Sequence, residues 1–281
     1  MALSVLRCQI KADELMFWGK VTGVQNDYYI AVSITYKNMY EFPQKTFYYT
    51  LSNTKGFTFR EMPSLGLPEV EQDRSIDCDN SLFTGNPSKK LGAKVGEEGE
   101  EAVEEPPKEE EEGEEGAEKK AKDSDASEDE EVKIPKRNLT EIDRLTAVVL
   151  AIENDCQLCP TGAFKMTPDH QLKRNEAFSG LNGTEALKKG NYMHFRNVQT
   201  IEKKRLLETP EAPFTYNFLE NISREKPQGC WSLQRDERHE TVIIRSLIWP
   251  GYHFFHKISS SKFGGMYIGD GLKNAEVHFI V

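Results

Sequence analysis

A strongly acidic tract divides the chain into two parts. Between Glu97 and Glu131 the sequence contains nineteen aspartate and glutamate residues, four lysines and no aromatic residue, which gives a local net charge of −15. A segment of this composition repels itself and buries too little apolar surface to offset the entropy lost on folding. We therefore expect this tract to be disordered, and we expect the fold to be built from the residues on either side of it.

The charge and composition of the rest of the chain limit its possible environment. The whole chain carries −10, so the residues outside the tract sum to +5, but their lysines and arginines are scattered, which disfavours nucleic-acid binding. No apolar run approaches the roughly 18 residues of a membrane span, and the first residues become charged too early for a secretory signal. Five cysteines in a chain of this length fit free thiols in a reducing compartment. We expect a cytosolic protein.

Two aromatic-rich runs near the start predict a β-hairpin. Leu15–Val24 and Tyr28–Tyr36 are rich in aromatic and β-branched residues, and Gln25–Asp27 supplies the turn. Gly19 and Gly23 suggest a bulge or a close approach of another backbone. Alternation predicts one buried face on the second strand, formed by Tyr28, Ile30, Val32, Ile34 and Tyr36.

The sequence predicts a third strand and a turn within Phe47–Phe59. It also predicts a helix that begins after Asn138, because Asn138 with Glu141 three residues later resembles a helix-capping pair. The helix has an apolar stripe of Leu139, Ile142, Leu145, Val148, Val149 and Ile152. Shorter helices are predicted at Thr184–Lys189 and Phe214–Ile222. Strands are predicted at Cys230–Arg235, Thr241–Trp249, Tyr252–Lys257, Met266–Ile268 and Glu276–Val281.

The two parts are expected to fold together. Two or three strands are at best marginally stable alone, and the cost of closing a long loop grows slowly with its length. We predict an α+β fold, mainly antiparallel β-sheet with a few helices, interrupted by a disordered acidic insert. A β-rich part at 1–65 and an α+β part at 138–281 form one discontinuous domain, with an extended and disordered acidic insert at 66–137 between them.

Cysteine and histidine residues give little support for a catalytic or metal site. Cys156 and Cys159 are the only cysteine pair at ligand spacing, and no suitable further ligands accompany them. We predict incidental thiols and no catalytic residue, cofactor or metal; a thiol-dependent enzyme using this pair is one alternative. His253 and His256 alternate on a predicted strand and, with His278, are expected at the surface.

Aromatic residues are concentrated on the predicted strands. Core packing explains most of them, and the excess predicts a partner interface. The candidate interface residues are Trp18, Tyr28, Tyr29, Trp249, Pro250 and Tyr252. A second alternative is a cytosolic β-sheet module that binds single-stranded nucleic acid through exposed aromatics, which would require a basic groove beside them.

The acidic tract contains two candidate phosphorylation sites. Ser124 and Ser127 lie among carboxylates, the setting that an acid-directed kinase uses. Each phosphate would add about −1.5 to −2 charges. We predict that the tract adjusts surface charge without building the fold.

Four sequence segments resemble a known family. They are FWGKVTGVQNDYYIA near the start, GCWSLQ, VIIRSLIWPGYHFFH and YIGDGLKN. Together they resemble the radial spoke head proteins of motile cilia and flagella, and within that group the head protein 9 type. The resemblance covers about residues 5 to 60 and 138 to 281.

The resemblance implies a non-enzymatic structural subunit of the axonemal radial spoke head. It implies a role in spoke-head assembly and in mechanical signalling between the central pair and the dynein arms. The implied partners are the head proteins of the 4 and 6 type and the spoke stalk proteins, with indirect contact to the central pair, no nucleic acid and no membrane. The implied location is the cytoskeleton of the cilium or flagellum. The family usually begins with an additional helical segment that we expect this chain to lack.

Overall fold

The structure is a computed structural model that describes residues 2–37, 41–64, 81–91, 140–208 and 218–280. The acidic tract, with Ser124 and Ser127, lies outside the described residues, and so do the predictions made for it. Within the described parts, no helix combines the length and apolar character that a bilayer crossing requires.

Twelve strands and four α-helices form the described structure. The strands are β1 Glu14–Val21, β2 Tyr28–Thr35, β3 Gln44–Leu51, β4 Arg60–Glu61, β5 Leu158–Pro160, β6 Phe164–Met166, β7 Leu172–Arg174, β8 Tyr192–His194, β9 Trp231–Asp236, β10 Thr241–Ser246, β11 Tyr252–Lys257 and β12 Phe263–Gly269. The helices are α1 Ala2–Gln9, α2 Glu141–Cys156, α3 Ile201–Leu207 and α4 Val277–Ile280.

Eight strands form one sheet in the order β4-β3-β2-β1-β12-β11-β10-β9, and two small antiparallel pairs, β5 with β8 and β6 with β7, lie beside it. The first four strands of this order precede the acidic tract and the last four follow it. All neighbours are antiparallel except β1 and β12, which run parallel and join the two groups. The predicted α+β class with a mainly antiparallel sheet is confirmed.

The predicted hairpin is present as β1 and β2. Its register shifts between Phe17 and Gly19, so Trp18 lies in a β-bulge and points into the core. A Cβ atom on Gly19 would lie 2.1 Å from the carbonyl oxygen of Tyr267 on β12. The strand therefore needs glycine here so that β12 can pair with it, as the sequence suggested.

Helix α2 packs its apolar stripe against one face of the eight-stranded sheet. Leu145, Val148, Val149 and Ile152 of the predicted stripe are fully buried. Thr140 caps the helix through a capping box with Asp143. The predicted cap at Asn138 is therefore wrong, because the reciprocal side-chain pair lies two residues later.

Helix α1 covers part of the opposite face of the sheet. Leu6 packs there with Ala31 of β2 and Tyr48 of β3, so both faces of β2 are covered. This helix was not predicted from the sequence. An eight-residue helix with one buried side chain leaves too weak a pattern to identify in the sequence.

Residues 81–91 lie against the fold, although the sequence assigned them to the extended insert. The buried Phe83 packs beside Tyr28, and Gly23 forms a β-bridge with Phe83. A second bridge joins Lys90 to Thr140. The two ends of the undescribed segment 92–139 are therefore held together at the start of α2.

Three further element predictions need correction. Thr184–Lys189 forms turns rather than a helix, and in the described part of Phe214–Ile222 there is only the start of a 3-10 turn, Ile222–Arg224. The strand predicted at Glu276–Val281 is wrong, because the described residues there form α4. In a strand Val277 and Phe279 would share one face, but Val277 is 3% exposed in the core and Phe279 is 89% exposed, as helical spacing allows.

Candidate interaction surface

Four of the six predicted interface residues lie in the core. Trp18, Tyr28, Trp249 and Tyr252 are each 6% exposed or less, and only Tyr29 and Pro250 reach the surface. A partner cannot contact the four buried side chains in this fold. The interface prediction rests on the two remaining residues and stays a prediction.

The buried aromatic side chains have structural partners instead. The indole N–H of Trp18 donates to Glu153 at 2.7 Å and that of Trp249 donates to Asp155 at 3.0 Å, so both bind the last turns of α2. The third indole, of Trp231, donates to Glu225. Trp18 of β1 and Trp249, which follows β10, thus join the sheet to a distant helix, whereas Trp231 binds a carboxylate six residues before it.

The buried hydroxyl of Tyr28 also binds a carboxylate inside the protein. It donates to Glu141 at 2.6 Å, and the backbone amides of Thr84, Gly85 and Asn86 donate to that same carboxylate. Burial acts to raise the pKa of Glu141, but these hydrogen bonds outweigh it and hold the pKa below its usual value. Glu141 therefore fastens residues 84–86 to β2 and to the start of α2.

An exposed apolar area lies on the sheet face that α2 does not cover. It spans β1, β12, β11 and β10, beyond the part covered by α1. Four of its side chains are large and well exposed: Phe17 39%, Phe255 46%, Met266 40% and Ile268 49%. The half-buried Ile243 lies opposite Phe255 on β10. We call these five residues the open sheet face.

Strand register places these residues on one face. Phe255 pairs with Gly264 as well as with Ile243, and Met266 pairs with His253. Ile268 lies two residues after Met266 and beside Lys20. The ring of Phe255 lies over Gly264, where a Cβ atom would come within 3.2 Å of it. A contiguous apolar area of this kind typically marks an interaction site, whereas single exposed apolar residues do not.

Basic side chains accompany the open sheet face. Arg245 and Lys257 are exposed on the same side of β10 and β11, and neither forms an ion pair with a described residue. Partial burial and the nearby Arg245 lower the pKa of His253, so the imidazole is more readily neutral. Lys20, by contrast, pairs with Asp27 at 2.7 Å. Arg245 and Lys257 therefore place two unpaired positive charges on this side of the sheet.

The cysteine pair has the properties of core residues. Cys156 and Cys159 are 1% and 2% exposed, and burial raises the pKa of both thiols, that of Cys159 to about 12. Since the thiolate is the reactive form, this environment gives no support to a thiol-dependent enzyme. Among the described residues, no three His, Cys, Asp or Glu side chains form a group that could hold a metal ion.

His256 departs from its prediction. It is fully buried and its Nδ1 lies 3.4 Å from the hydroxyl of Tyr192, because its position on β11 points inward. Burial lowers its pKa. His253 and His278 are exposed, as predicted. The surface expectation is therefore wrong for His256 alone.

Most aromatics proposed for base stacking are unavailable. Six aromatic residues of the predicted strands are buried: Trp18, Tyr28, Trp231, Trp249, Tyr252 and Phe254. Stacking on bases needs exposed ring faces beside a basic groove. The structure therefore gives the nucleic-acid alternative little support.

A charged cavity of about 590 Å³ lies between the end of α2 and α4. It is lined by both signs of charge, including Arg196, Lys273, Asp155 and Glu225. Asp155 already accepts from Trp249, and Glu225 accepts from Trp231 and lies 3.1 Å from His194 Nε2. These carboxylates serve the fold.

Sequence comparison identifies relatives along the whole chain. No protein-family model matches it. The radial spoke head protein 9 homolog of Danio rerio is 30% identical over 284 residues, which cover 100% of this chain and 89% of that protein. The chain belongs to the radial spoke head protein 9 family. Homologs of the same name from Bos taurus and Homo sapiens are each 28% identical over the same shares.

Membership in the radial spoke head protein 9 family confirms the resemblance seen in the sequence. The segments that carried the resemblance supply core residues such as Trp18, Tyr28 and Trp249 as well as Phe17 and Phe255 of the open sheet face. Sequence analysis missed Met266 and Ile268 as surface candidates. The signal available for them was alternation along β12, where they flank the buried Tyr267.

Proposed function

We propose that the chain is a non-enzymatic structural subunit of the axonemal radial spoke head in cilia or flagella. It would contribute to spoke-head assembly and to mechanical signalling between the central pair and the dynein arms. The observation that carries this proposal is the open sheet face, an exposed apolar area on a rigid sheet within a chain of the radial spoke head protein 9 family.

The sheet is suited to transmit force. The strands that carry the open sheet face each have a paired neighbour on both sides, and α2 packs against the reverse side. A partner that binds this face would contact a surface whose backbone is fixed by sheet hydrogen bonds. Force applied there would pass into the whole sheet and not into a loop.

We further propose that the partners include head proteins of the 4 and 6 type and, through them, the stalk. The test is affinity capture by the tagged full chain from an extract of motile axonemes, followed by mass spectrometry. We expect spoke-head proteins to be enriched. Recovery of no other spoke component by the folded wild-type chain would contradict the proposal.

A pair of variants separates the open sheet face from the rest of the surface. Phe255→Asp places a charge in the centre of the face, whereas Leu187→Asp places one at a comparably exposed residue in a turn elsewhere. We expect the first variant to lose capture by at least tenfold and the second to retain it. Equal capture by both variants would contradict the assignment of the interface to this face. Circular dichroism and thermal unfolding check that both variants are folded.

A further inference from the structure

We propose that the element covering the open sheet face is an amphipathic helix of a partner protein, with an apolar stripe flanked by aspartate or glutamate. This inference rests on the proposed function for the identity of the partner. The shape and charge of the partner element follow from the strand pairing, the width and the charge of the open sheet face.

An added strand cannot bind on this face by backbone pairing. β1, β12, β11 and β10 each already have a strand on both sides, so their backbone groups serve the existing sheet. A partner must therefore bind through side chains. This requirement excludes strand addition at the face, although the outer edge of β9 has no described neighbour.

The width of the open sheet face and the packing of α1 beside it favour a helix as the covering element. Three spacings of about 4.8 Å separate the first and last of the four strands, a width of roughly 14 Å. One helix with its side chains is about 10 to 12 Å wide. The chain already covers the neighbouring part of this face with a helix, since Leu6 of α1 is buried against Ala31 and Tyr48.

The positive charges of the open sheet face favour a partner helix with acidic flanks. Arg245 and Lys257 lie beside the apolar residues and form no ion pair with a described residue. Two acidic groups near the face are already engaged: Asp27 with Lys20, and Asp236 with His239. Carboxylates on a partner would complement the unpaired cations and fix its orientation.

The same charges disfavour a second copy of this chain. Two copies joined through the open sheet face would place four unpaired cations, Arg245 and Lys257 of each copy, in one interface. The exposed apolar residues Ile201 and Leu206 of α3 are accompanied by Lys204 and Arg205, so that helix would also meet the face with like charge. Like charges placed together at an interface favour separation.

The principal experiment uses the full chain and two synthetic helical peptides. The peptides share one apolar stripe, and one has glutamate flanks while the other has lysine flanks. We expect the acidic peptide to bind at least tenfold more tightly and to lose this preference in the Arg245→Glu/Lys257→Glu variant. Lys204→Glu/Arg205→Glu makes the same charge change on α3 and should retain it. No preference in the wild type, or equal loss in both variants, would overturn the inference.

A second measurement uses a spoke-head protein recovered by the wild-type chain. Hydrogen exchange should become slower in one helical segment of that protein, with an apolar stripe and acidic flanks. Protection of an extended or basic segment would overturn the inference while leaving the proposed function intact. If no spoke-head protein is recovered, the proposed function fails, and the peptide pair alone decides the inference.

Sedimentation of the full chain tests whether a second copy of the chain covers the open sheet face. We expect a monomer at micromolar concentration. A dimer that Phe255→Asp disperses, while Leu187→Asp does not, would place a second copy on the face and would overturn the inference.

Discussion

At the scale of single residues, buried carboxylates hold distant parts of the chain together. Glu141 accepts hydrogen bonds from Tyr28 and from residues 84–86, and Glu153 accepts from Trp18 and pairs with Lys45. A carboxylate that is buried without such donors would be strongly destabilising. These residues are therefore better understood as connectors than as candidates for acid–base chemistry.

The Glu141→Gln substitution tests this role. The amide keeps the shape of the side chain but weakens several charge-assisted hydrogen bonds, so we expect a loss of about 2 to 3 kcal/mol in the free energy of unfolding at pH 7. Urea unfolding measures it. Glu202→Gln, at an exposed position on α3, serves as the control and should change little.

The difference in stability between wild type and Glu141→Gln should depend on pH. The pKa of Glu141 is lower in the folded state, so its contribution is present above the unfolded pKa of about 4.3 and is lost as the pH falls through the folded value. We expect the difference in stability between wild type and Glu141→Gln to shrink on acidification below about pH 4.3. A difference that stays constant or grows there would contradict this account of Glu141.

Residue type alone could not separate core aromatics from surface aromatics. Trp18 and Phe17 are neighbours in the sequence, yet a bulge turns Trp18 into the core and leaves Phe17 exposed. Alternation correctly predicted the burial of Tyr28, Ile30, Val32 and Ile34, but Tyr36, assigned to the same face, lies beyond the end of β2 and is 36% exposed. Four of the predicted interface residues lie in the core because their polar groups have partners inside the chain. Trp18, Tyr28 and Trp249 donate to carboxylates, and the hydroxyl of Tyr252 lies 3.5 Å from the amide oxygen of Gln157.

At the scale of elements, the parallel pairing of β1 and β12 is the joint between the two halves of the sheet. Gly19, Lys20 and Val21 pair with Tyr267, Ile268 and Gly269. The sequence indicated a close backbone approach at Gly19 but could not identify β12 as the approaching strand. Local patterns specify the face that a strand buries, and they do not specify a neighbour about 250 residues away in the chain.

The Gly19→Ala substitution should damage this joint. The added methyl group would meet the backbone of Tyr267 at 2.1 Å, so one strand must shift. We expect a loss of about 3 kcal/mol, or roughly 6 to 12 °C in the midpoint of thermal unfolding. Gly183→Ala is the matched control, since no atom lies within 4 Å of its Cβ position. Similar melting temperatures for the two variants would argue against a tight joint.

Helix α2 receives one tryptophan from each half of the sheet. Trp18 is on β1, before the acidic tract, and Trp249 follows β10, after it. A double-mutant cycle with Trp18→Phe and Glu153→Gln should give a coupling energy of about 1 to 2 kcal/mol in urea unfolding. A cycle of Trp18→Phe with the exposed Glu202→Gln should give a coupling near zero. Additive effects in the first cycle would show that the indole hydrogen bond contributes little.

At the scale of the whole molecule, we propose that 1–65 and 138–281 fold as one discontinuous domain. The shared sheet, the helix bound by both halves and the bridge from Lys90 to Thr140 support this proposal. A glutamate-specific protease should cut the acidic tract and leave two fragments that elute together in size-exclusion chromatography. Fragments that separate without denaturant while each stays folded would indicate two domains.

Deleting the acidic tract should leave the fold intact. Replacement of Glu97–Glu131 by a short Gly-Ser linker shortens the chain between Lys90 and Thr140 to somewhat less than half, which stabilises the folded state by roughly 0.6 to 1 kcal/mol through loop closure. We therefore expect the melting temperature to stay within a few degrees of the wild-type value. The deletion removes a net charge of −15 from a chain whose open sheet face carries unpaired cations. Capture of spoke-head proteins should therefore change, and the size of the change should depend on the salt concentration. A large fall in melting temperature would assign the tract to the fold.

The bridge between Lys90 and Thr140 has a practical consequence for imaging. Bridged residues have Cα atoms about 5 Å apart, so the chain leaves and re-enters the fold at nearly the same point. A fluorescent or self-labelling protein with closely spaced termini can be inserted between these two residues in place of the natural segment. Such a reporter would show where the protein lies in a living cell while both of its own termini and the open sheet face stay unmodified.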